Sequence, residues 1–427
     1  MHRLSTIFLK DCKHSILSQT KTIPLPEELS VSMAMSLGAP CKPVVEAGDM
    51  VKTGQVIGES EDGKTVPIHA PADGAVLRVE EANFPNMRKA QQIVIRTKST
   101  SFDFTPPDVQ TREEFLSVIK NSGIVGLGGA AFPTFAKLDT HLPIETLIVN
   151  AAECEPYLTS DYRTMLENTD DVFLAAETVR KFVKCRTVIF GIEENKPEAI
   201  ALFEKKCGEH ENIWVKILKS RYPQGAEKVL IYHTTGIIQP QGVLPAQLGV
   251  LVLNVTTMAK IGLFLRTGEP LIRRRITVDG DLVPEPCNLE VPIGTRVCDI
   301  VKVLKIPESE IRKILFGGPM MGVAVSDIRM PILKSTNGVL FFSKEKAVMP
   351  AITPCIRCGR CFNACPFHLM PAEFDRKYRN RDREALKRLH ILSCMECGCC
   401  AYVCPAKRDL VATNRLAKNW VRSGGKV

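Results

Sequence analysis

The chain has 427 residues, 45% of them hydrophobic and 24% charged, the balance of a globular protein with ample core; no apolar run approaches the about eighteen residues that a bilayer span needs. Its net charge of +9 fits a nucleic acid, a membrane surface or an acidic protein, but the basic residues read as spread along the chain without aromatic interleaving, which weighs against nucleic acid and favours an acidic partner or the inner membrane face. Sixteen cysteines would mean disulfides in a secreted protein, yet the start offers only Ile7-Phe8-Leu9 beside Lys10, Asp11 and Lys13, so the expectation is reduced cytoplasmic thiols.

Residues 43–80 alternate short β-branched runs with turn signals. Val44-Val45 precedes Gly48-Asp49, Val56-Ile57 precedes Gly58, and Asp73-Gly74 precedes Ala75-Val76-Leu77, a pattern that predicts a small all-β module. It resembles the barrel-sandwich hybrid of lipoyl and biotinyl domains. Such domains expose a modified lysine at a hairpin tip; Lys64 is the candidate here, and without the usual flanking residues the module reads as structural. His69 reads as a packed residue, having no second metal ligand at useful spacing. Pro106-Pro107 reads as a linker.

From Thr111 the period changes. Thr111 and Glu114 form a capping box, and Phe115, Val118 and Ile119 share one helical face, so a helix leads to the glycine-rich loop Gly126-Leu127-Gly128-Gly129-Ala130-Ala131 and on to Lys137. Missing Cβ atoms let backbone N–H groups approach a ligand, a following helix start offers partial positive charge, and Lys137 adds a full one. Taken alone, the loop is as consistent with a turn as with a phosphate cradle. Strands at 147–149, 188–190, 214–217 and 250–253 alternate with helices at 171–184 and 197–207, which predicts a largely parallel α/β sheet. Ligands of such sheets sit beyond the strand ends, here Asn150 to Pro156, Tyr222 to Lys228 and Asn254 to Thr257.

In order and spacing these segments resemble the flavin- and NADH-binding motifs of the complex I flavoprotein family. The resemblance implies that Gly126, Gly128, Gly129 and Lys137 hold the FMN phosphate and that Asn150, Glu153 and Asn254 bind the flavin. It further implies that Phe132, Glu155, Gly225 and Glu227 belong to the nucleotide site, Phe132, Glu155 and Glu227 facing NADH. Two positions depart from the family: Leu127 stands for its common arginine and Ala226 for a frequent second acid. Residues 273–345 return to strand-like runs around a short helix at 297–304 and resemble that family's β-grasp domain, with Met320 and Met321 expected as core filler.

The C-terminus carries two ferredoxin-type runs, Cys355-x2-Cys358-x2-Cys361-x3-Cys365-Pro366 and Cys394-x2-Cys397-x2-Cys400-x3-Cys404-Pro405. In such runs three close thiolates take one cubane and the fourth cysteine ligates the other. One [4Fe–4S] cluster is therefore assigned to Cys355, Cys358, Cys361 and Cys404, the other to Cys394, Cys397, Cys400 and Cys365. Cys399 is expected not to be a ligand, and the remaining cysteines are expected to act as small hydrophobes. The basic stretch from Arg376 to Arg388 is either a solvated face or a dock for an acidic redox partner.

The expected fold class is multidomain α/β and α+β: residues 1–105 an N-terminal segment with the barrel-sandwich hybrid, 108–268 a Rossmann-like FMN/NADH-binding domain, 269–345 a β-grasp domain, and 346–427 a helical two-cluster ferredoxin-like domain. That order resembles the C subunits of Rnf electron-transport complexes over about residues 35–410. The resemblance implies FMN, NADH and two [4Fe–4S] clusters as cofactors. It implies other subunits of a membrane electron-transport complex, with ferredoxin or another acidic redox protein, as partners, and a peripheral cytoplasmic location on the inner face of the membrane. The family's opening Gly-Gly-x-His-Pro segment has no counterpart in residues 1–30, which keeps open a soluble relative serving a reductase. An iron–sulfur scaffold without an active NADH site is the non-enzymatic alternative.

Overall fold

The computed structural model describes residues 4–85 and 88–424. Its first unit is built from strands whose apolar residues alternate, so that one face of each turns inward. Glu28–Ser32, Arg88–Ser99, Asp73–Phe84 and Met50–Val51 form one sheet in that order, and Lys42–Pro43, Val56–Glu59 and Ile68–His69 form a second. Leu29 pairs with Ile95 and Val31 with Ile93, all fully buried. The expected turn at Asp73-Gly74 is instead the start of a long strand. Asp73 takes hydrogen bonds from Thr53 N–H and from the hydroxyls of Thr53, Ser99 and Ser101, which hold its carboxyl down at about 2. A Cβ on Gly74 would sit 2.1 Å from the Arg96 carbonyl, so glycine is required where the two strands close on each other. Lys64 lies exposed in the turn after Asp62, and His69 is buried, its pKa pushed down to about 3 by burial.

The second unit is a four-stranded, fully parallel sheet in the order Ile213–Leu218, Thr187–Glu193, Thr146–Ala151, Val250–Asn254. Its strands read as near-continuous apolar runs because helices cover them. Leu147, Ile148 and Val149 are fully buried, and Thr187–Glu193 is buried along its whole length. The helix Arg112–Asn121 starts at the expected Thr111/Glu114 capping box.

The third unit is a mixed sheet. Arg273–Asp279 and Cys287–Pro292 form an antiparallel hairpin, the helix Val297–Val303 follows, and Gly338–Phe342 returns parallel to Arg273–Asp279, with Lys313–Phe316 and Val323–Val325 beyond it. This is the β-grasp arrangement, and Ile276, Leu289, Ile300 and Phe341 fill its core. A sixth strand comes from the start of the chain, for Thr20–Thr22 pairs in parallel with Asn288 to Glu290. The first strand of the N-terminal segment thus pairs outside the barrel-sandwich sheets, where it finds open backbone partners at the β-grasp edge.

The last unit is helical, with Leu369, Phe374, Leu386, Ile391, Ala417 and Val421 in its core. Two short helices, Arg360–Asn363 and Cys399–Tyr402, are each preceded by a glycine at positive φ: Gly359 at 74° and Gly398 at 85°. Among the described residues no helix is long and apolar enough to cross a membrane.

Candidate functional site

In an open parallel sheet a ligand settles beyond the carboxyl ends of the strands where the strand order reverses. That reversal falls between Thr146–Ala151 and Val250–Asn254, and the asparagines ending the pairing, Asn150 and Asn254, are register partners. Asn254 Oδ1 accepts from the N–H groups of Thr256 and Thr257, capping the helix Val255–Thr267, and its Nδ2 donates to Asp161 at 2.7 Å. Asn150 Nδ2 donates to the Gly225 carbonyl at 2.8 Å. Both amides are held rigidly by protein partners.

The glycine loop packs against this pair. Gly126 N–H donates to the Phe132 carbonyl at 2.8 Å, and Leu127 N–H donates to Thr257 Oγ1 at 2.9 Å. A Cβ on Gly128 would lie 2.7 Å from Asn254 Nδ2, so only glycine permits the approach, while Gly129 has open space and Phe132 is 44% exposed. A backbone cradle with an open side, beside two fixed amides, fits a phosphate-bearing ring ligand. The helix after it, Thr134–Leu138, is only five residues long and adds little dipole, so the attraction for phosphate falls to the loop's N–H groups and Lys137. Lys137 Nζ pairs with Glu227 at 2.9 Å, joining a residue expected at the flavin phosphate to one expected at NADH.

Sequence reasoning missed Arg274. It is buried in the β-grasp sheet, donates through Nη2 to the Leu127 carbonyl at 2.7 Å and through Nε to the Thr336 carbonyl, and keeps Nη1 without a hydrogen-bond partner. Burial pushes its pKa down to about 10, so it remains a cation at neutral pH. A guanidinium therefore stands beside the loop although position 127 itself is leucine. Arg273-Arg274-Arg275 opening an otherwise apolar strand was the available signal.

Two expected ligands are engaged elsewhere. Glu153 is buried and accepts from Asp161 N–H at 2.8 Å, Tyr162 N–H and Ser160 Oγ, serving as cap for a helix, Ser160–Glu167, whose own N-cap residue Thr159 makes no side-chain capping bond. Burial raises its pKa, and the nearby Lys13 ammonium opposes the rise. Glu155 turns to the β-grasp unit, accepting from Met320 N–H at 3.1 Å and Met321 N–H at 2.9 Å, with burial raising its pKa to about 7. The reason is steric as well as electrostatic: a Cβ on Gly318 would lie 2.2 Å from the Glu155 carboxylate, so the Gly317-Gly318 turn exists to admit it. Met321 is accordingly not core filler, being 48% exposed, whereas Met320 packs its side chain against the cluster around Tyr222, and both contribute backbone donors. The segment is tied down by Lys13, another unforeseen residue, whose ammonium donates to the carbonyls of Glu153, Glu155 and Leu158.

In the helical unit, Cys365 from the first run lines one cavity together with Cys394, Cys397 and Cys400 from the second. This is the crossed set of four. The donor chemistry fits a cubane: these four thiols, with that of Cys399 beside them, line a cavity whose remaining walls are largely apolar, including Leu369, Phe374 and Val411. Asn414 Nδ2 points at Cys394 Sγ at 3.7 Å. Of the other set, Cys355 and Cys358 are exposed, Cys361 is partly buried, and Cys404 is brought near by the Thr353 N–H to Ala406 carbonyl bond. Cys399 is buried within the cavity wall. The charge is not spread as the sequence first suggested: residues 344–427 hold 17 Lys and Arg against 7 Asp and Glu, so this unit alone exceeds the whole chain's surplus. Much of the basic stretch pairs internally, as Arg376 does with Glu373, Lys377 with Asp382 and Lys387 with Glu384.

Residues 6–100 match the family model of the RnfC barrel sandwich hybrid domain, residues 119–263 that of the Nuo51 FMN-binding domain, and residues 351–408 that of the 4Fe-4S dicluster domain. The fold and sites define a flavin- and iron–sulfur-containing electron-transfer protein. The C subunit of the proton-translocating ferredoxin:NAD(+) oxidoreductase complex of Clostridium ljungdahlii is 38% identical over 94% of this chain and 90% of its own length. That of the Na(+)-translocating complex of Acetobacterium woodii is 37% identical over 93% of each, and that of the ion-translocating oxidoreductase complex of Rhodobacter capsulatus is 35% identical over 94% of this chain and 79% of its own. The chain belongs to the family of C subunits of ion-translocating ferredoxin:NAD(+) oxidoreductase complexes. An NAD+-reducing [NiFe]-hydrogenase structure shares the fold over 75% of this chain and 64% of that one, with a TM-score of 0.50 and 17% identity.

Proposed function

We propose that this chain is the NADH-linked electron-transfer subunit of an ion-translocating ferredoxin:NAD(+) oxidoreductase complex, using FMN and two [4Fe–4S] clusters, and that it sits peripherally on the cytoplasmic face of the membrane. The observation that carries the reading is the cavity shared by Cys365, Cys394, Cys397 and Cys400, which lies in the same chain as the glycine loop and the Asn150/Asn254 crevice. When bound, flavin exchanges electrons in pairs or singly and the clusters exchange them one at a time, which is the conversion a nicotinamide-linked carrier requires.

The chain's own residues do the positioning. The loop's N–H groups and Lys137 bind the phosphate, Asn150 and Asn254 orient the ring, and Arg274 fixes the loop through the Leu127 carbonyl. Buried Cys365, Cys397 and Cys400 make the inner centre, whereas exposed Cys355 and Cys358 put the outer centre at the surface, where a partner takes or delivers electrons. The positive surplus of that unit favours an acidic redox partner among the complex's subunits or ferredoxin itself.

Anaerobic addition of NADH to the reconstituted protein tests this. Bleaching of the flavin followed by reduction of both clusters is the expected sequence; intact cluster absorbance in protein that takes up no flavin would refute it in favour of an iron–sulfur scaffold.

A further inference from the structure

Between the flavin crevice and the inner cluster cavity the chain makes one short, fully anchored connection. At one end Asn150 Nδ2 donates to the Gly225 carbonyl at 2.8 Å, and a Cβ on Gly225 would lie 2.6 Å from the Ala152 carbonyl, so the two backbones touch. Three residues back, Tyr222 is 2% exposed and its hydroxyl donates to the Cys397 carbonyl at 2.7 Å. The residues between are wound into turns, with Gln224 N–H on the Arg221 carbonyl and Ala226 N–H on the Pro223 carbonyl. The backbone of Tyr222 is also clamped from the far side, because Ile7 and Tyr222 exchange both hydrogen bonds, at 2.8 and 2.9 Å. A second contact meets the same cluster turn: the Met320 carbonyl lies 2.9 Å from where a Cβ of Gly398 would be, and Met320 N–H is held by Glu155.

We propose that Tyr222 is a positioning residue for internal electron transfer, the pivot of a strut from Asn150 to Cys397 that fixes the inner cluster at a set separation from the flavin and tunes it through the Cys397 backbone. The proposal rests on the reading of Cys365, Cys394, Cys397 and Cys400 as ligands of one cluster. The hydroxyl is the only polar atom of a side chain otherwise packed among Ile7, Leu9, Cys154, Met320, Ala364 and Val403. Its hydrogen is the positive end of a dipole aimed at the ligand loop in a dry seam, where such a dipole is poorly screened. It therefore stabilises the more negative, reduced form of the cluster. A solvated tyrosine at the surface could do neither.

The experiment compares wild-type holoprotein with Tyr222→Phe, which keeps the ring and its packing and removes only the donor. Iron, FMN, the electron paramagnetic resonance spectra of the reduced clusters, their midpoint potentials, and the stopped-flow rates of flavin and cluster reduction by NADH are measured. The expected result is full iron and FMN and an unchanged rate of flavin reduction. One cluster signal alone is expected to move, with a more negative potential, and cluster reduction is expected to be slowed threefold or more. Unchanged spectra, potentials and rates would overturn the proposal. So would loss of one cluster's iron, since Tyr222 would then be a structural support with no tuning role. Cys397→Ala, which leaves no donor atom, separates the premise from the proposal: full iron and both signals in that variant would refute the ligand assignment, whatever Tyr222→Phe shows.

Discussion

Glu155→Gln turns the buried contact between the strand-end loop and the β-grasp unit into a measurable pH dependence. Burial raises the Glu155 pKa from 4.5 to about 7 even though two backbone N–H groups point at its carboxylate. The folded state therefore holds a proton that the unfolded chain releases, so the group's contribution to stability is fully present below about 4.5 and is lost as pH rises through about 7. A rise of this size corresponds to a loss of roughly 3 kcal/mol by pH 8 and of about 1 kcal/mol by pH 5. Glutamine resembles the protonated acid and has nothing to lose. Glu155→Gln should then melt about 2–4 °C above wild type at pH 5 and about 6–12 °C above it at pH 8, at roughly 2–4 °C per kcal/mol. Differential scanning fluorimetry from pH 5 to 8.5 at fixed ionic strength measures the gap. Two melting curves that run parallel across this range would refute the argument, because they would mean that the carboxylate is hydrated or ionised throughout. FMN and iron contents should match wild type in both forms, since the side chain faces the β-grasp loop.

Three further outcomes are expected. Cys365→Ala should abolish the signal of the cluster built on Cys394, Cys397 and Cys400 and spare the other, leaving roughly four irons of about eight; iron analysis with paramagnetic resonance checks this, and damage confined to the Cys355 cluster contradicts it. Gly128→Ala drives a methyl against Asn254 Nδ2, and displacing that amide from Asp161 should cost about 1–3 kcal/mol and empty the flavin site, as read by flavin fluorescence after gel filtration. Lys137→Ala removes a charge-assisted phosphate contact of about 1.5–3 kcal/mol and should weaken FMN binding tenfold or more in equilibrium dialysis, whereas Glu227→Gln frees the lysine and should not weaken it.

The elements that could be read from the sequence were those whose signal is local. Apolar runs such as Leu147 to Val149 and Val250 to Leu253, flanked by turn signals and alternating with helical stretches, read as covered strands, and the Thr111/Glu114 box announces its helix from four residues. The crossed cysteine set also carries its own geometry in its spacing, and the cavity assembles it. What stayed hidden depends on partners far away in the chain. Nothing around Lys13 says that its ammonium will find three carbonyls some 140 residues on, and nothing around Glu155 distinguishes an acid that meets a ribose from one that meets the amides of Met320 and Met321. Glu153 is hidden for the same reason, since its role as a helix cap depends on a helix that begins seven residues later without a capping side chain of its own. Charge went unnoticed through averaging: a total of +9 conceals a unit that is strongly basic and a remainder near neutrality.

The path of the first twenty-two residues bears on how the protein is made. Ile7 pairs with Tyr222, His14 hydrogen-bonds Asp279 across 265 residues, and Thr20–Thr22 completes a sheet with Asn288 to Glu290. A ribosome adding about 5–20 residues per second releases the start of the chain some 10–55 s before those partners exist. During that interval the segment has no native place to go, and closing contacts at such separation is slow on topological grounds. The barrel-sandwich strands and the parallel sheet can form as they emerge. The opening segment can dock only after the α/β and β-grasp units are in place, and its contacts then add a tie between them from a third stretch of chain.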